Sequence, residues 1–554
     1  MKRISAILPA VLLISASALL GATRSPKQDI ARNLDIFNAI YKTLQTTYVD
    51  TIDAEKSIKT AIDAMLADID PYTEYYPEED QEDLLSISSG EFGGIGAVIS
   101  QDRQGRTRVS EPQNGTPAQR VGLKAGDIFW TIDGDTVITL GSAKVRERLR
   151  GQAGTPVKVV VKRPYAVDSM LQFDITRAKI EIQAVPYYGV VADSIGYIQL
   201  TTFNEKSPRD VRDALIDLKK NPRVKGLILD LRGNGGGLLE SAVQIVGHFV
   251  AKGTEVLRTR GRGLVNEKIY KTTSAPIDVD IPLVVLIDGG SASSAEITAG
   301  ALQDLDRAVV VGNRSYGKGL VQSTRQLPYN GMMKVTVAKY YIPSGRLIQA
   351  IDYSQRNADG SVSRIPDSLT NVFHTRIGRV VRDGGGITPD ITVEYPDVNR
   401  LVYNIVSNQW DFDFATLYAS QHPTIASPET FEVDDEIYEQ FKQFIDPTKF
   451  EYDKVCETLM EQVEKSAKTE GYLNDTVQAQ IDALKASLKH DLRKDLDTHR
   501  DQISRYLAEE ILKRYYFSRG ATIESLRHDN NIDRAVAILK APKEYKSILS
   551  APKK

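Results

Sequence analysis

Ser293 and Lys318 fit nucleophilic chemistry, a serine paired with a lysine that takes its proton. Ser293 follows the apolar run Pro282-Leu-Val-Val-Leu-Ile287 and opens a Ser/Ala-rich segment, which predicts a strand-to-helix turn whose backbone amides point outward. Lys318 lies about 25 residues on, between Gly317 and Gly319, after a second apolar run, Ala308-Val-Val-Val-Gly312. Flanking glycines let backbone come close, so the ammonium can be enclosed rather than solvated. Enclosure matters because a lysine with a pKa of roughly 10.4 is protonated at neutral pH, whereas burial favours the amine that can act as a base. Activity carried by such an amine should rise with pH through its lowered pKa. Ser293 also has a purely structural reading, since Glu296 three residues on completes the spacing of a helix capping box.

Two sequence patterns invite other chemistry and fail on one position each. Gly312 to Lys318 spells the start of a phosphate-binding loop, but position 319 is Gly where Ser or Thr would hold Mg²⁺, and Leu320-Val-Gln-Ser-Thr favours a strand over the required helix. Gly226-Leu-Ile-Leu-Asp-Leu231 followed by Arg232-Gly-Asn-Gly-Gly-Gly237 would need Gly at Leu238 to bind a dinucleotide. These glycines suit backbone N–H groups aimed at a developing negative charge, with the amide of Ser294 as a second donor. In a parallel sheet, all three strand ends would meet at one edge.

Taken together, Asp230-Leu-Arg-Gly-Asn-Gly-Gly-Gly237, Ser291-Ala-Ser-Ser-Ala-Glu296 and Tyr316-Gly-Lys-Gly-Leu-Val-Gln322 resemble the motifs of the carboxy-terminal processing peptidases, also called tail-specific proteases. The resemblance implies a crotonase-like α/β peptidase core in a multidomain α/β chain, with an inserted PDZ domain and helical regions before and after. It implies Ser293 as nucleophile, Lys318 as general base, Gln322 as the residue that orients the lysine, and Gly237 with Ser294 as the oxyanion hole. Where the family pattern has Ala and Ser, this chain has Ser294 and Ala295, which sets a second hydroxyl beside the nucleophile.

Upstream, Asp70-Pro-Tyr-Thr-Glu-Tyr75 is similar to the family segment that precedes its PDZ domain. Gly93-Gly-Ile-Gly-Ala97, Pro112-Gln-Asn-Gly-Thr-Pro-Ala118 and Gly122-Leu-Lys-Ala-Gly-Asp127 look like the PDZ domain itself. Apolar segments between glycine turns describe a small β-rich module. Its loop Gly94, Ile95, Gly96 and Ala97 would hold a peptide carboxylate in backbone N–H groups while the strand edge pairs with the peptide. The implied partners are protein tails without structure.

The expected organisation is an export signal over 1–22, a helical region over 23–88, the PDZ domain over 89–178, the peptidase core over 179–395 and a helical region over 396–554. Lys2-Arg3, the apolar run to Leu20 and Gly21-Ala22 have the three parts of a secretory signal; uncleaved, the run is long enough to be an anchor. A bacterial periplasmic location follows as the expectation. The only cysteine, Cys456, cannot form an internal disulfide. A formal net charge of −3 gives no reason to expect nucleic acid as a partner.

Chain length and 41% hydrophobic residues support several cores. Leu34, Phe37, Ile40, Tyr41, Leu44 and Tyr48 share one helical face, and Met333 to Ile342 alternates like an antiparallel strand. Leu484, Leu488, Leu492, Leu496, Ile503, Leu507 and Ile511 form an apolar stripe, with Gly520 where a helix would end. The stripe suits a domain packed on the core, or a homodimer contact; an adaptor protein is a further partner. Glu78-Glu-Asp-Gln-Glu-Asp83 reads as a solvated loop. His248, on an apolar face, reads as a core residue rather than part of a triad. No cofactor is expected, and with no H-E-x-x-H and no cysteine cluster, no metal. The alternative of another class is a PDZ scaffold whose peptidase-like core binds peptides or apolar ligands without cutting.

Overall fold

The structure, a computed structural model, describes residues 26–262, 267–353, 357, 361–394, 397–452 and 455–551; the segment read as an export signal lies outside them. The chain divides into two units, residues 1–75 with 333–335 and residues 76–332 with 336–554. In the first unit, helices α1 (Pro26–Thr47) and α2 (Ala54–Ala67) form where the helical period predicts them. Asp53 caps α2 by accepting the Lys56 N–H, and the Tyr41 hydroxyl donates to the Ala54 carbonyl at 3.0 Å. On the α1 face only Tyr41 is half-buried; Leu34, Phe37, Ile40, Leu44 and Tyr48 are exposed. Asp70 is buried and accepts the N–H groups of Tyr72 and Thr73, which fixes the turn into the strand Glu74–Tyr76. The acidic run is not a loop, since Glu78–Asp80 is a 3₁₀ turn leading into the helix Gln81–Ser89.

The β-rich module begins with β1 (Glu91–Gly94) and continues through β2 (Ala97–Gln101), β3 (Thr107–Pro112), β4 (Ile128–Ile132), α3 (Ser142–Leu149), β5 (Pro156–Lys162) and β6 (Met170–Thr176) to β7 (Ala178–Glu181). Its main sheet runs β2-β3-β4-β5-β6, so β2 has an open edge, and β1 pairs with β7 to close the module. Val109, Phe129, Val159 and Val161, with Val145 and Leu149 of α3, form its core.

The second layer system is a six-stranded sheet, β8 (Tyr187–Val191), β9 (Ile195–Gln199), β10 (Gly226–Asp230), β12 (Leu283–Ile287), β13 (Val309–Gly312) and β16 (Ile391–Thr392), in that order. The first pair is antiparallel and the rest are parallel. Strands buried on both faces must be apolar throughout, as Leu283-Val-Val-Leu-Ile287 is. Alternation sends Leu227, Leu229, Val285 and Ile287 into one core with helices α4 (Ser207–Lys220), α5 (Leu239–Val246) and α6 (Ser294–Asp304). Ile228, Val284, Leu286 and Val311 point into the other, where the late helix α14 (Asn530–Lys540) covers them with Ile532, Ala535, Ile538 and Leu539. The end of the C-terminal helical region therefore packs on the core, while residues 401–512 build a core of their own. His248 is buried, its Nε2 2.8 Å from the Pro208 carbonyl. A separate antiparallel sheet contains β11 (Glu255–Gly261), β14 (Leu320–Gln326) and β15 (Met332–Tyr341); β11 pairs with β15 over residues 258–261 and 338–341, and β14 is the strand expected after Gly319.

The helical region comprises α7 (Arg400–Ser407), α8 (Trp410–Gln421), α9 (Asp435–Phe444), α10 (Val455–Thr469), α11 (Asp475–Ser487), α12 (Leu492–Thr498) and α13 (Arg500–Leu526) before α14. The stripe expected over 484–511 is split among three helices. Leu496, Ile503, Leu507 and Ile511 are buried, whereas Leu484 and Leu488 are exposed. Gly520 does not end a helix: the break in α13 is at Phe517, with φ 56° and ψ −164°, and Gly520 continues the helix beyond it. Ser518, just past the break, gives its N–H and hydroxyl to Glu111 of the β-rich module. Arg108 of β3 reaches across in the same way, pairing with Asp413 at 2.6 Å and lying 3.6 Å over the Phe412 ring. No helix among the described residues is long and apolar enough to cross a membrane.

Burial pushes Asp411 of α8 up to about 7, with the Glu510 carboxylate adding to the shift. Because the folded value lies above the ordinary 3.8, ionising this group costs stability progressively between those two pH values. Asp411→Asn is therefore expected to raise Tm relative to the parent, by a margin that widens from about pH 4 to about pH 7 and is flat above. Thermal denaturation followed by circular dichroism at several pH values checks this, and a pH-independent difference would remove the titration from the explanation.

Candidate active site

Three loops leave the same edge of the parallel sheet, because Asp230 of β10 stands beside Leu286 of β12, and Ile287 stands beside Gly312 of β13. The first loop carries the glycines, the second Ser293 and the third Lys318. Asn234 is fully buried and binds all its neighbours: its amide donates to the Leu200 carbonyl at 2.7 Å, its side-chain oxygen accepts the Gly236 N–H, and its backbone carbonyl accepts the Ala292 N–H. Asp288 accepts the N–H groups of Gly233, Gly290 and Ser291, and the Ser291 hydroxyl donates to the Leu231 carbonyl. Arg232 is held between Asp230 and Asp529, both at 2.6 Å, so the residue capping α14 also braces the glycine loop.

Gly237 runs alongside Phe203, with the Leu238 N–H donating to the Phe203 carbonyl and the Phe203 N–H to the Gly236 carbonyl. A Cβ on Gly237 would lie 2.1 Å from the Phe203 oxygen, and its φ is +144°. The N–H groups of Gly237 and Ser294 have no acceptor among the described residues. The Ser294 hydroxyl is buried and donates to the Gly237 carbonyl at 2.9 Å, so the second hydroxyl beside Ser293 is already engaged.

Ser293 is half-buried at the head of α6 and adopts φ 55° with ψ −114°, a conformation that costs a non-glycine residue about 1–3 kcal/mol. Glu296 does accept the Ser293 N–H, at 2.9 Å, as the capping-box spacing predicts. Its carboxylate does more than cap. The same oxygen, Oε2, accepts the Lys318 N–H at 2.9 Å, while Oε1 accepts the Gly317 N–H at 2.7 Å and the Ser315 hydroxyl at 2.5 Å. The Tyr340 hydroxyl lies 3.2 Å from the Ser293 carbonyl oxygen and 2.6 Å from that of Lys318. Ser293 and Lys318 thus meet at the backbone, held at their N–H groups by one carboxylate and at their carbonyls by one hydroxyl. Burial raises Glu296 to about 7, and its four hydrogen bonds oppose that rise.

Lys318 itself is half-buried, and the glycine before it is packed so that a Cβ would meet Ala350 at 2.3 Å. The Gln322 side-chain amide donates to the Thr336 hydroxyl at 3.1 Å. Asp383-Gly-Gly-Gly-Ile-Thr-Pro-Asp390 supports this loop: the Ile387 N–H donates to the Ser315 hydroxyl oxygen at 2.6 Å, and the Ser315 N–H donates to the Ile387 carbonyl. Sequence reading missed Glu296, Ser315 and Tyr340 as parts of one arrangement. Glu296 stood at a recognisable capping position, but nothing in the linear order links it to residues 315–318.

In the β-rich module, Gly94, Ile95, Gly96 and Ala97 line a groove of about 230 Å³ between β2 and α3, with Leu149 and Arg150 on its other side. The Ile95 carbonyl accepts the Ala118 N–H, and the Gly96 carbonyl accepts the Gln113 N–H and the Thr116 hydroxyl. Gly96 has φ +76°, and a Cβ there would lie 2.4 Å from Thr116.

Residues 194–354 match Peptidase family S41, residues 108–163 a PDZ domain, and residues 401–539 the C-terminal helical domain of probable PDZ-proteases. The carboxy-terminal-processing protease of Bartonella bacilliformis is 35% identical over 392 residues, which span 70% of this chain and 81% of that protein. The chain belongs to the carboxy-terminal-processing peptidases. A probable CtpA-like serine protease of Staphylococcus aureus is 30% identical over 69% of this peptidase and 68% of its own length. A solved photosystem II D1 C-terminal processing protease aligns with 65% of this chain and 86% of its own, at 28% identity and a TM-score of 0.36. The peptidase is accordingly a serine-type enzyme with a mixed α/β S41 core, a PDZ domain and a C-terminal helical domain.

Proposed function

We propose that this peptidase is an exported endopeptidase that captures unstructured protein C-termini in its PDZ groove and cleaves upstream of them with a Ser293–Lys318 dyad. The observation that carries the reading is the shared anchoring of Ser293 and Lys318 on Glu296 Oε2, together with the N–H groups of Gly237 and Ser294 that have no acceptor among the described residues. Ser293 Oγ attacks the peptide carbonyl, and the neutral Lys318 amine takes its proton and delivers it to the leaving amine. Water then attacks the acyl-enzyme, with Lys318 again accepting the proton, and Ser293 is released. The amides of Gly237 and Ser294 stabilise the oxyanion of each tetrahedral intermediate. Gln322 holds the lysine, its own amide tethered to Thr336.

The same proposal divides the chain into a signal over 1–22, a helical region over 23–88, the PDZ domain over 89–178, a crotonase-like core over 179–395 and a helical domain over 396–554. The combination of a parallel sheet whose strand ends carry the site and a covering α14 supports the core assignment. Export to a bacterial periplasm rests on the leader-like composition of residues 1–22. A homodimer through the helical domain, and an adaptor protein, belong to the same proposal; Leu484 and Leu488 are members of its stripe left exposed.

Gly94, Ile95, Gly96 and Ala97 would receive the tail carboxylate while β2 offers its open edge. The test compares an unstructured polypeptide bearing a free carboxyl end with the same polypeptide amidated. Faster cleavage and at least about tenfold tighter binding of the free tail are expected, and Gly96→Ala should remove the difference by forcing the loop off Thr116. Equal handling of the two tails by the parent would count against tail capture.

A further inference from the structure

We infer that Glu296 is a positioning residue for proteolysis, the side chain that sets the register between the serine loop and the lysine loop. The inference rests on the Ser293–Lys318 reading and adds what holds the pair in place.

A helix cap needs neither full burial nor four donors. Glu296 is fully buried, and a carboxylate removed from water is unfavourable by several kcal/mol unless hydrogen bonds replace its hydration. The replacement comes from three backbone N–H groups and one hydroxyl, each a charge-assisted bond contributing about 1.5–3 kcal/mol. Backbone N–H groups only donate, so Oε2, which faces two of them, must be an acceptor. Oε1 faces the Gly317 N–H and Ser315, and the Ser315 oxygen already accepts the Ile387 N–H at 2.6 Å. The arrangement is satisfied by an ionised carboxylate.

What those bonds fix is specific to the reacting pair. Ser293 sits in a strained backbone conformation, and Glu296 at its N–H together with Tyr340 and Ile297 at its carbonyl keeps it there. Lys318 is gripped at its N–H and carbonyl by the same two side chains, Glu296 and Tyr340. Displacing a reacting group by about 1 Å costs on the order of 10²-fold in rate. Loss of either grip therefore acts on the chemical step, while the PDZ groove, built from other residues, is untouched.

Glu296→Gln keeps the shape but turns an NH₂ toward N–H donors. It is expected to lower kcat about 10²-fold with KM within about threefold of the parent and tail binding unchanged. Tyr340→Phe, which removes one hydroxyl, should lower kcat by a smaller factor, about tenfold, and provides a second reading if the glutamine variant folds poorly. The pH profile separates positioning from packing. If activity needs the Glu296 carboxylate ionised, its titration near pH 7, the value to which burial raises it, adds to the limb set by Lys318, so kcat of the parent falls more steeply with decreasing pH than that of the glutamine variant, which keeps the Lys318 limb alone. The other ionisable side chains on the bonded loops are Asp288, Arg314, Tyr316 and Lys318, with Tyr340 on the neighbouring strand. Parental kcat in Glu296→Gln, or in Tyr340→Phe where the glutamine variant does not fold, would overturn the inference, as would an acid limb of unchanged steepness in Glu296→Gln. Ser293→Ala and Lys318→Ala run alongside: full activity in either overturns the dyad itself, whereas inactivity in both with a fully active Glu296→Gln overturns the positioning role alone.

Discussion

Ser293→Ala is expected to lower kcat by about 10⁴-fold or more against an unstructured polypeptide, while Ser294→Ala stays within about tenfold of the parent. The contrast follows from what each hydroxyl touches. Ser294 is buried and spends its proton on the Gly237 carbonyl at 2.9 Å, so it supports the loop. Ser293 is half-buried at the strained turn beside the Lys318 loop. Lys318→Ala should match the loss in Ser293→Ala, because removing either member of a unit removes the proton transfer. Lys318→Arg should not restore it, since a guanidinium remains charged at any working pH and cannot accept the proton. Quantified release of C-terminal fragments gives the readout. An inactive Ser294→Ala beside an active Ser293→Ala would reverse the assignment of nucleophile.

The second large effect is expected within the glycine turn, and it should differ from one glycine to the next. Gly237→Ala is expected to lower kcat by about 10²–10³-fold, the usual loss when one oxyanion donor is misplaced. A methyl group at 2.1 Å from the Phe203 carbonyl must push that backbone away, and the Gly237 N–H moves with it. The φ of +144° adds strain for any side chain. Gly235→Ala is the control: its Cβ meets nothing within 4 Å, and activity should stay within about twofold of the parent. Equal tolerance at both positions would take the Gly237 amide out of the oxyanion role. A Gly237→Ala chain that has lost its thermal transition would be read through kcat at low temperature against the folded fraction.

Much of the fold was legible in the sequence because its signals are local. Continuous apolar runs such as Leu283–Ile287 and Val309–Gly312 belong to strands buried on both faces, and the alternation of Met332–Tyr341 belongs to an antiparallel strand. The stripe beyond residue 484 was legible as apolar but not as three helices, because period alone does not locate the breaks at Leu488 and after Thr498, nor the later one at Phe517. A phenylalanine at φ 56° is held there by its surroundings, including the Ser518–Glu111 contact with the PDZ domain. Nor does the sequence show that Arg108 of the PDZ domain lies over Phe412 of the helical domain.

The available chemistry is readable from the linear chain: a serine at a strand-to-helix turn, a lysine between glycines, and glycines where amides can face outward. Residue type and immediate neighbours suffice for that, because nucleophilicity, capping and backbone freedom are properties of short segments. That the serine and lysine loops share one buried carboxylate and one tyrosine hydroxyl emerges only once the chain is folded. Hydrogen bonds over 22 residues from Glu296 to Lys318 and from Lys318 to Tyr340 depend on how strands β12, β13 and β15 are brought together, and no spacing in the chain specifies that.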